Sequence, residues 1–249
     1  MEGFDPDLVD TLVQATRELG IDVHLNTSVE AIEKETDHFI VSAATEEGDQ
    51  RFETDLAVHG AGRVPDIDDL ALETAGVARQ KKGVTVNDFL QSVSNAAVYA
   101  AGDAAANSGL PLTPVASAEG HVVASNMLKG NHRKPNYAGV PTVVFTVPPL
   151  ASVGLREDEA RQKGLKFKIK REDTSEWYSS RRVNLKHSGY KVLLEDGTDR
   201  ILGAHLLGEH AEEVINIFGM TIRYGLKTQD LKTMIYAYPT SGSDVGYMI

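Results

Sequence analysis

The stretch VYAAGDAAA, residues 98–106, constrains this chain more than any other part of its sequence. Its apolar first half predicts a strand over 97–101. The strand stops at Gly102, a carboxylate follows at Asp103, and three alanines come next. A strand that ends this way ends where something must come close. Glycine lets a ligand approach the backbone, and the alanines leave it room. Asp103 suits hydrogen bonds donated by sugar or polyol hydroxyls at an open strand end. Ten residues on, Thr113 and Pro114 predict a helix start, with Thr113 as N-cap and Pro114 as first helical residue. The free N–H groups and positive end of that helix favour an electron-rich carbonyl or a developing anion. The pair of features fits a flavin, with Asp103 on the ribityl chain and the helix start at the pyrimidine edge of the ring. Taken alone, Asp103 suits a turn-capping carboxylate equally well.

The chain opens with a helical pattern, not a strand. Asp5 is placed to cap it, Pro6 to begin it, and Leu8, Leu12, Val13 and Leu19 form its apolar stripe up to Gly20. Alternation then predicts strands at 21–25, 28–35, 38–45 and 50–60, with a turn at 46–49. Residues 60–66 read as a loop. A short helix is expected near 68–75, a short strand near 83–86, and a helix from Thr113 to Gly130. The polar segment 131–139 carries Pro135 and Gly139 and reads as a linker. Beyond it the pattern predicts strands at 142–146, 165–171, 189–195 and 200–207, and helices at 156–163, 210–225 and 228–235.

The formal charge of −11 opposes binding to nucleic acid or an anionic membrane by the chain as a whole. Residues 151–191 are the exception, with 11 Lys/Arg against 6 Asp/Glu. Within them Lys166, Lys168 and Lys170 alternate with Leu165, Phe167 and Ile169, which predicts a strand with one solvated face. No apolar run is long enough to span a bilayer and the N-terminus has no signal-like core, so a cytoplasmic location is expected. Cysteine is absent, which excludes disulfides, thiolate metal sites and a cysteine nucleophile in this chain. His205 and His210 flank a short acidic stretch, but one falls on a strand and the other at a helix start, so no metal site is expected. Trp177, Tyr178, Arg181 and Arg182 read as packing plus a solvated turn.

Seven stretches, FDPDLVDTL, GAGRVPD, VYAAGDAA, LTPVASAEG, VVFTVPPLASVG, ILGAHLLG and YPTSGSD, occur in an order that resembles the pyridine nucleotide–disulfide oxidoreductases. These are the relatives of glutathione reductase, dihydrolipoamide dehydrogenase and mercuric reductase. The resemblance covers nearly the whole chain but only the family's second half. It implies an α/β then α+β architecture: the second half of an NAD(P)-binding domain (1–65), the C-terminal part of an FAD-binding domain (66–137), and an α+β dimerisation domain with an antiparallel sheet (138–249). It implies that Gly102 and Asp103 meet the FAD ribityl chain. It places Thr113, Pro114, Val115 and Ala116 at the flavin pyrimidine edge, and Gly62 and Arg63 in the loop on the nicotinamide side. It further implies a homodimer, NAD(P)H as electron donor and a small-molecule acceptor.

The chain departs from the family in its nucleotide loops, its redox motif and its C-terminal motif. The Gly-rich loops for FAD and NAD(P) are not in this sequence, and neither is the redox CxxxxC. The expectation is therefore a fragment whose missing N-terminal half is a partner, with the first 60 residues its least stable part. At the end, Tyr238-Pro239-Thr240-Ser241-Gly242-Ser243 stands where the disulfide reductases carry His-Pro-Thr-x-x-Glu. Tyr238 thus holds the position of the family's acid–base histidine, and a phenol, titrating near ~10, is a poor base at neutrality. Asp244 falls one residue late to replace the glutamate. Three readings follow: part of an FAD-dependent oxidoreductase, inactive alone; a ligand-free dimerisation module; or an independent flavin-binding protein, disfavoured by the missing Gly-rich loops.

Overall fold

The computed structural model describes residue 1 and residues 3–249. The first element, α1 (Pro6–Glu18), begins as the sequence predicts: Asp5 is the N-cap and its carboxylate accepts the Leu8 N–H at 3.4 Å. Leu8, Leu12 and Ala15 form its buried stripe. The strand expected at 21–25 does not form. Extended backbone becomes a strand only where a neighbour takes its N–H and C=O groups, and among the described residues none lies alongside. Ile21 and Leu25 are left exposed.

An antiparallel meander follows: β1 (Ser28–Lys34), β2 (Phe39–Thr45) and β3 (Gly48–Thr54), in that spatial order. The strand expected over 50–60 stops at Thr54, because past it β3 has run off the end of β2, whose first residue Phe39 pairs with Thr54. Leu56 and Val58 are consequently exposed.

The middle of the chain holds a small sheet of β4 (Arg79–Gln80), β5 (Gly83–Thr85) and β6 (Ala105–Ala106), with β5 parallel to β6. Ile67, Leu72, Val77 and Val84 form its core. Two expectations are corrected here. The helix near 68–75 is a three-residue 3-10 turn, Asp68–Leu70. Residues 97–101 make an isolated bridge between Tyr99 and Gln91, not a strand, with Ala100 N–H donating to Leu90 O at 3.0 Å. The regular strand comes after Asp103 because Gly102–Ala104 turn first, and only then does the backbone lie beside β5.

The helix α2 (Thr113–Lys129) ends at Gly130. Residues 131–139 are irregular as expected, yet they are fastened. Asn126, 1% exposed, donates to the carbonyls of Phe89 and Arg133 and accepts from the N–H groups of His132 and Arg133.

The C-terminal part is a five-stranded antiparallel sheet. Its strands are β7 (Thr142–Val144), β8 (Leu150–Gly154), β9 (Phe167–Asp173), β10 (Gly189–Glu195) and β11 (Ile201–Leu207), in the order β7-β8-β11-β10-β9. Short helices α3 (Glu157–Gln162) and α4 (Tyr178–Arg182) join strands. The helix α5 (Ala211–Tyr224) lays Val214, Ile215 and Phe218 on one face, against Ala151, Val153, Ala204 and Leu206. Trp177 closes that core against the rings of Tyr190 and Tyr247. Helices α6 (Thr228–Lys232) and α7 (Val245–Met248) complete the chain; α6 is shorter than the 228–235 expected, and Ile235 is almost wholly exposed. Lys166, Lys168 and Lys170 are exposed as expected, but Ile169 on the edge strand is 38% exposed as well.

The opposite face of this sheet carries α1, whose Leu8 and Leu12 pack with Leu150 and Leu207. Lys191 of β10 sits beneath its first turn, 3% exposed, with Asp5 at 2.8 Å, Asp7 at 2.6 Å and Glu157 at 3.4 Å. Beside them His205 is fully buried. Its Nε2 donates to Leu155 O at 3.2 Å, so its Nδ1 accepts from the Ser152 hydroxyl at 2.6 Å. Burial depresses its pKa, and it packs as a neutral imidazole. Among the described residues no helix is long and apolar enough to cross a membrane, and no group of three or more His, Asp or Glu side chains is placed to hold a metal.

Candidate functional site

The turn at Gly102 is set by two constraints. Gly102 has φ +62°, and a Cβ there would meet the Cβ of Ala116 at 2.8 Å. Only glycine takes that backbone shape freely, and its closeness to Ala116 brings the turn directly against α2. The Gly102 N–H donates to Glu119 Oε2 at 2.7 Å. Asp103 is thereby presented outward, its side chain 42% exposed.

Asp103 faces a cavity of about 650 Å³ that Gly62, Arg63, Gly102, Leu110 and Pro111 also line. Four expected site residues, Gly62, Arg63, Gly102 and Asp103, thus meet in one place. Arg63 Nη2 lies 2.8 Å from Asp103 Oδ2 and donates to Pro111 O at 3.4 Å. One carboxylate oxygen is paired, and Oδ1 takes no hydrogen bond among the described residues.

The α2 start is arranged differently from the sequence expectation. Leu112 is the N-cap, no side chain caps the helix, and Thr113 is its first residue. A leucine offers no oxygen to the first-turn donors. Pro114 has no N–H, and Ala116 N–H donates to Leu112 O at 3.0 Å. The N–H groups of Thr113 and Val115 have no partner among the described residues. Pro114 and Val115 line a second cavity of about 730 Å³ between α2, the 133–141 segment and α5, while Thr113 and Ala116 line neither. Glu119 is common to both walls.

Glu119 is the residue that sequence reasoning missed. It is 1% exposed and accepts from Gly102 N–H, from Asn107 Nδ2 at 3.1 Å and from the Tyr137 hydroxyl at 2.7 Å. Burial, and next the hydrogen bond to this carboxylate, raise the pKa of the Tyr137 phenol, so it serves Glu119 as a donor. A glutamate inside a run of small residues, ASAEG, was the one available signal.

Tyr238 is not brought to this cavity. It is 78% exposed, on the C-terminal segment beside Pro239, Ser179, Arg182 and Asp244. Burial raises the Asp244 pKa, against a hydrogen bond from Ser179.

Comparison with known proteins extends this picture. Residues 1–120 match the family described as pyridine nucleotide-disulphide oxidoreductase, and residues 140–248 match its dimerisation domain. A protein described as an uncharacterized 19.7 kDa protein in a mercuric resistance operon of Staphylococcus aureus is 53% identical over 178 residues, 72% of this chain and 99% of that protein. A mercuric reductase of Staphylococcus aureus is 32% identical over 243 residues, 95% of this chain but 43% of the reductase. A dihydrolipoyl dehydrogenase of the same species is 29% identical, and the chain spans 51% of it. The fold matches the Escherichia coli flavoprotein disulfide reductase RclA in its Cu(II) complex with a TM-score of 0.85 and 26% identity, over 98% of this chain and 56% of that one.

Proposed function

Since the chain belongs to the pyridine nucleotide-disulphide oxidoreductase family, we propose that its Asp103 cavity is one wall of a flavin site in an NAD(P)H-dependent oxidoreductase. The observation that carries this is the cavity itself, with Asp103 and its ion-paired partner Arg63 in one lining. The residues fit the group. The Asp103 carboxylate accepts from ribityl hydroxyls, Arg63 orients that carboxylate, and Gly102 keeps the wall free of side chain. The free N–H groups of Thr113 and Val115 lie on the helix that Gly102 touches, and they suit the electron-rich edge of the ring. Bound FAD supplies the transfer of electrons from reduced nicotinamide to an acceptor. This chain contributes no cysteine to that path. Gly62 and Arg63 form the nicotinamide-side rim. Domain limits at 1–65, 66–137 and 138–249 follow the same reading. The rest of the flavin site comes from polypeptide equivalent to the other half of the longer relatives, in the cytoplasm.

Asp103→Ala is expected to abolish FAD retention where the unsubstituted protein retains it, read by visible absorbance after desalting. Its stability should stay within about 0.5 kcal/mol, because the site is at the surface. Undiminished flavin occupancy in the variant would sink the assignment.

The second element of the reading is a homodimer. Phe145, Val147, Met220 and Tyr224 expose apolar surface on the part that matches a dimerisation domain. Tyr238, at the family's acid–base position, is exposed on the same part and open to a partner. Sedimentation at micromolar concentration is expected to give twice the 27.0 kDa chain mass. A monomer at tens of micromolar would remove the dimer. A dimerisation module without ligand accounts for this surface but leaves the Arg63–Asp103 cavity with no role.

A further inference from the structure

The face of the C-terminal sheet that α1 covers carries a polar row. Strand register sets Arg171 of β9, Lys191 of β10, His205 of β11 and Ser152 of β8 side by side across it. Two residues along, the same face holds Leu207 beside Leu150. α1 lies over both rows. Its Leu8 and Leu12 pack on the two leucines. Its Asp5 end sits over the polar row, where Lys191 pairs with Asp5 and Asp7, and Arg171 pairs with Asp7.

This attachment is separate from the main core. Val214, Ile215 and Phe218 of α5 pack on the opposite face, and among the described residues that core includes nothing from α1. At its other end α1 is held by Glu18, 3.0 Å from His187 Nε2. Just beyond, Gly20 has φ +83° with open space around it, and the chain runs into the unpaired 21–25 segment. Arg17 donates to Val23 O at 2.9 Å across that bend. α1 is thus a strap, hinged at Gly20 and clamped at Asp5.

His205 is the group in the clamp suited to change charge near neutrality. It is fully buried. The charged groups around it are Asp5 of α1, Lys191 of β10 and Glu159 of α3, and its ring bonds are to Ser152 and the Leu155 carbonyl. Burial pulls its pKa down and Lys191 adds to this. Asp5, the Leu155 carbonyl and Glu159 pull the other way, and burial wins. A charged His205 would also put two cations directly opposite each other on neighbouring strands. Lifting α1 admits water, and the imidazole then accepts its proton more readily. The docked state therefore has the full support of a neutral His205 above pH ~6.5 and loses it as pH falls further.

We infer that α1 is an acid-released strap, whose Asp5 end lifts from the C-terminal sheet below neutral pH while the α5 face of that sheet stays folded. The hydrogen bond and charge of His187 hold Glu18 below the ordinary carboxylate range, so the hinge end stays paired after the Asp5 end has let go. α1 lies in the part that matches the oxidoreductase family over residues 1–120, and the sheet in the part that matches its dimerisation domain. Release uncouples the two.

Hydrogen exchange of the full chain between about pH 7.5 and 5, with each rate divided by the intrinsic rate at that pH, tests the strap. A helix of this length is marginal in water without its packing, so a lifted α1 exchanges. Amides 8–15 are expected to lose protection at least about tenfold. Those of β10, β11 and α5 should keep theirs, and the emission of Trp177, the single tryptophan, should not move. Constant protection of α1 over this range overturns the strap. A loss shared by α5 and Trp177 overturns it too, because α1 and the sheet then open as one unit. His205→Gln, which does not titrate, should keep α1 protected to the lower end of the range, and release at an unchanged pH overturns His205 as the trigger. If that variant does not fold, the imidazole resonances of the unsubstituted chain decide. A buried ring that titrates together with α1 release upholds the trigger, and one that titrates apart from it overturns it. Glu18→Gln, at an exposed position, should fold normally and spread the acid loss of protection to residues 16–19. No change there overturns the hinge.

Discussion

Lys191→Met lowers the unfolding free energy by about 3–5 kcal/mol, the cost of leaving a buried charge without its partner. The charge left behind is Asp5, which is 0% exposed and 2.8 Å from the Lys191 ammonium. Trp177 is the only tryptophan and lies in the core on the far face of the same sheet, so its fluorescence in a urea titration reports the loss. The double variant Asp5→Asn/Lys191→Met should be less damaged than Lys191→Met alone, because it removes the orphaned carboxylate. A loss below about 1 kcal/mol in the single variant would show that the cluster is solvated. The pH dependence has a definite sign. Burial, the largest influence, pulls the Lys191 ammonium down, but the hydrogen bonds and charges of Asp5 and Asp7 outweigh it and hold its pKa above the ordinary value. The hydrogen bond from Lys191 holds Asp7 below the ordinary carboxylate range, against an opposing effect of burial and with help from Arg171. The Asp7 contribution is present above pH ~4 and is lost as pH falls through its folded value. The Lys191 contribution is present below pH ~10 and is lost as pH rises through its own. In Lys191→Met the acid limb becomes shallower and the alkaline one loses this component.

Glu119→Ala is the second large effect, with an expected loss of about 3 kcal/mol. Gly102 N–H and the Tyr137 hydroxyl would both be left in poorly hydrated surroundings without an acceptor. Glu119→Gln keeps an amide oxygen and should cost less, about 1–2 kcal/mol. It also removes the negative charge beside Tyr137, so the phenol should ionise at lower pH than in the unsubstituted chain, followed by its ultraviolet difference absorbance. Both variants should weaken flavin binding, because the Gly102 turn that presents Asp103 hangs on this carboxylate. A stable Glu119→Ala with unaltered Tyr137 titration would contradict the assigned network.

Local chemistry was legible where it acts over a few residues. Asp5 and Pro6 mark the start of α1, the apolar runs mark β10 and β11, and the α5 stripe marks the helix that covers them. Features that depend on a distant neighbour were not. The alternation at 21–25 and 55–60 is real, but pairing is a property of two strands, and no second one lies alongside among the described residues. β8 failed in the opposite way. Residues 150–153 are buried on both faces, between α1 and α5, so they show no alternation, and two prolines precede them. At the site, the resemblance named Gly102 and Asp103 at one place and Gly62 and Arg63 at another, and the fold brings the four to one cavity. Glu119 escaped because its partners Gly102, Asn107 and Tyr137 are spread over 36 positions and only the fold collects them. Leu112 displaced Thr113 as N-cap by one residue, which sequence alone rarely resolves.

The packing of α1 on the last sheet also sets an order of events during synthesis. Asp5 and Asp7 are synthesised nearly two hundred residues before their partner Lys191 and the covering strand β11. At about 5–20 residues per second, the Leu8–Leu12 stripe waits roughly 10–40 s for its cover. During that interval a nascent chain displays an amphipathic helix with nothing against it. Its first helix is therefore among the last elements to be buried. Between these elements, it is the helix made early, and not the strands made late, that is most exposed to chaperones and to premature association.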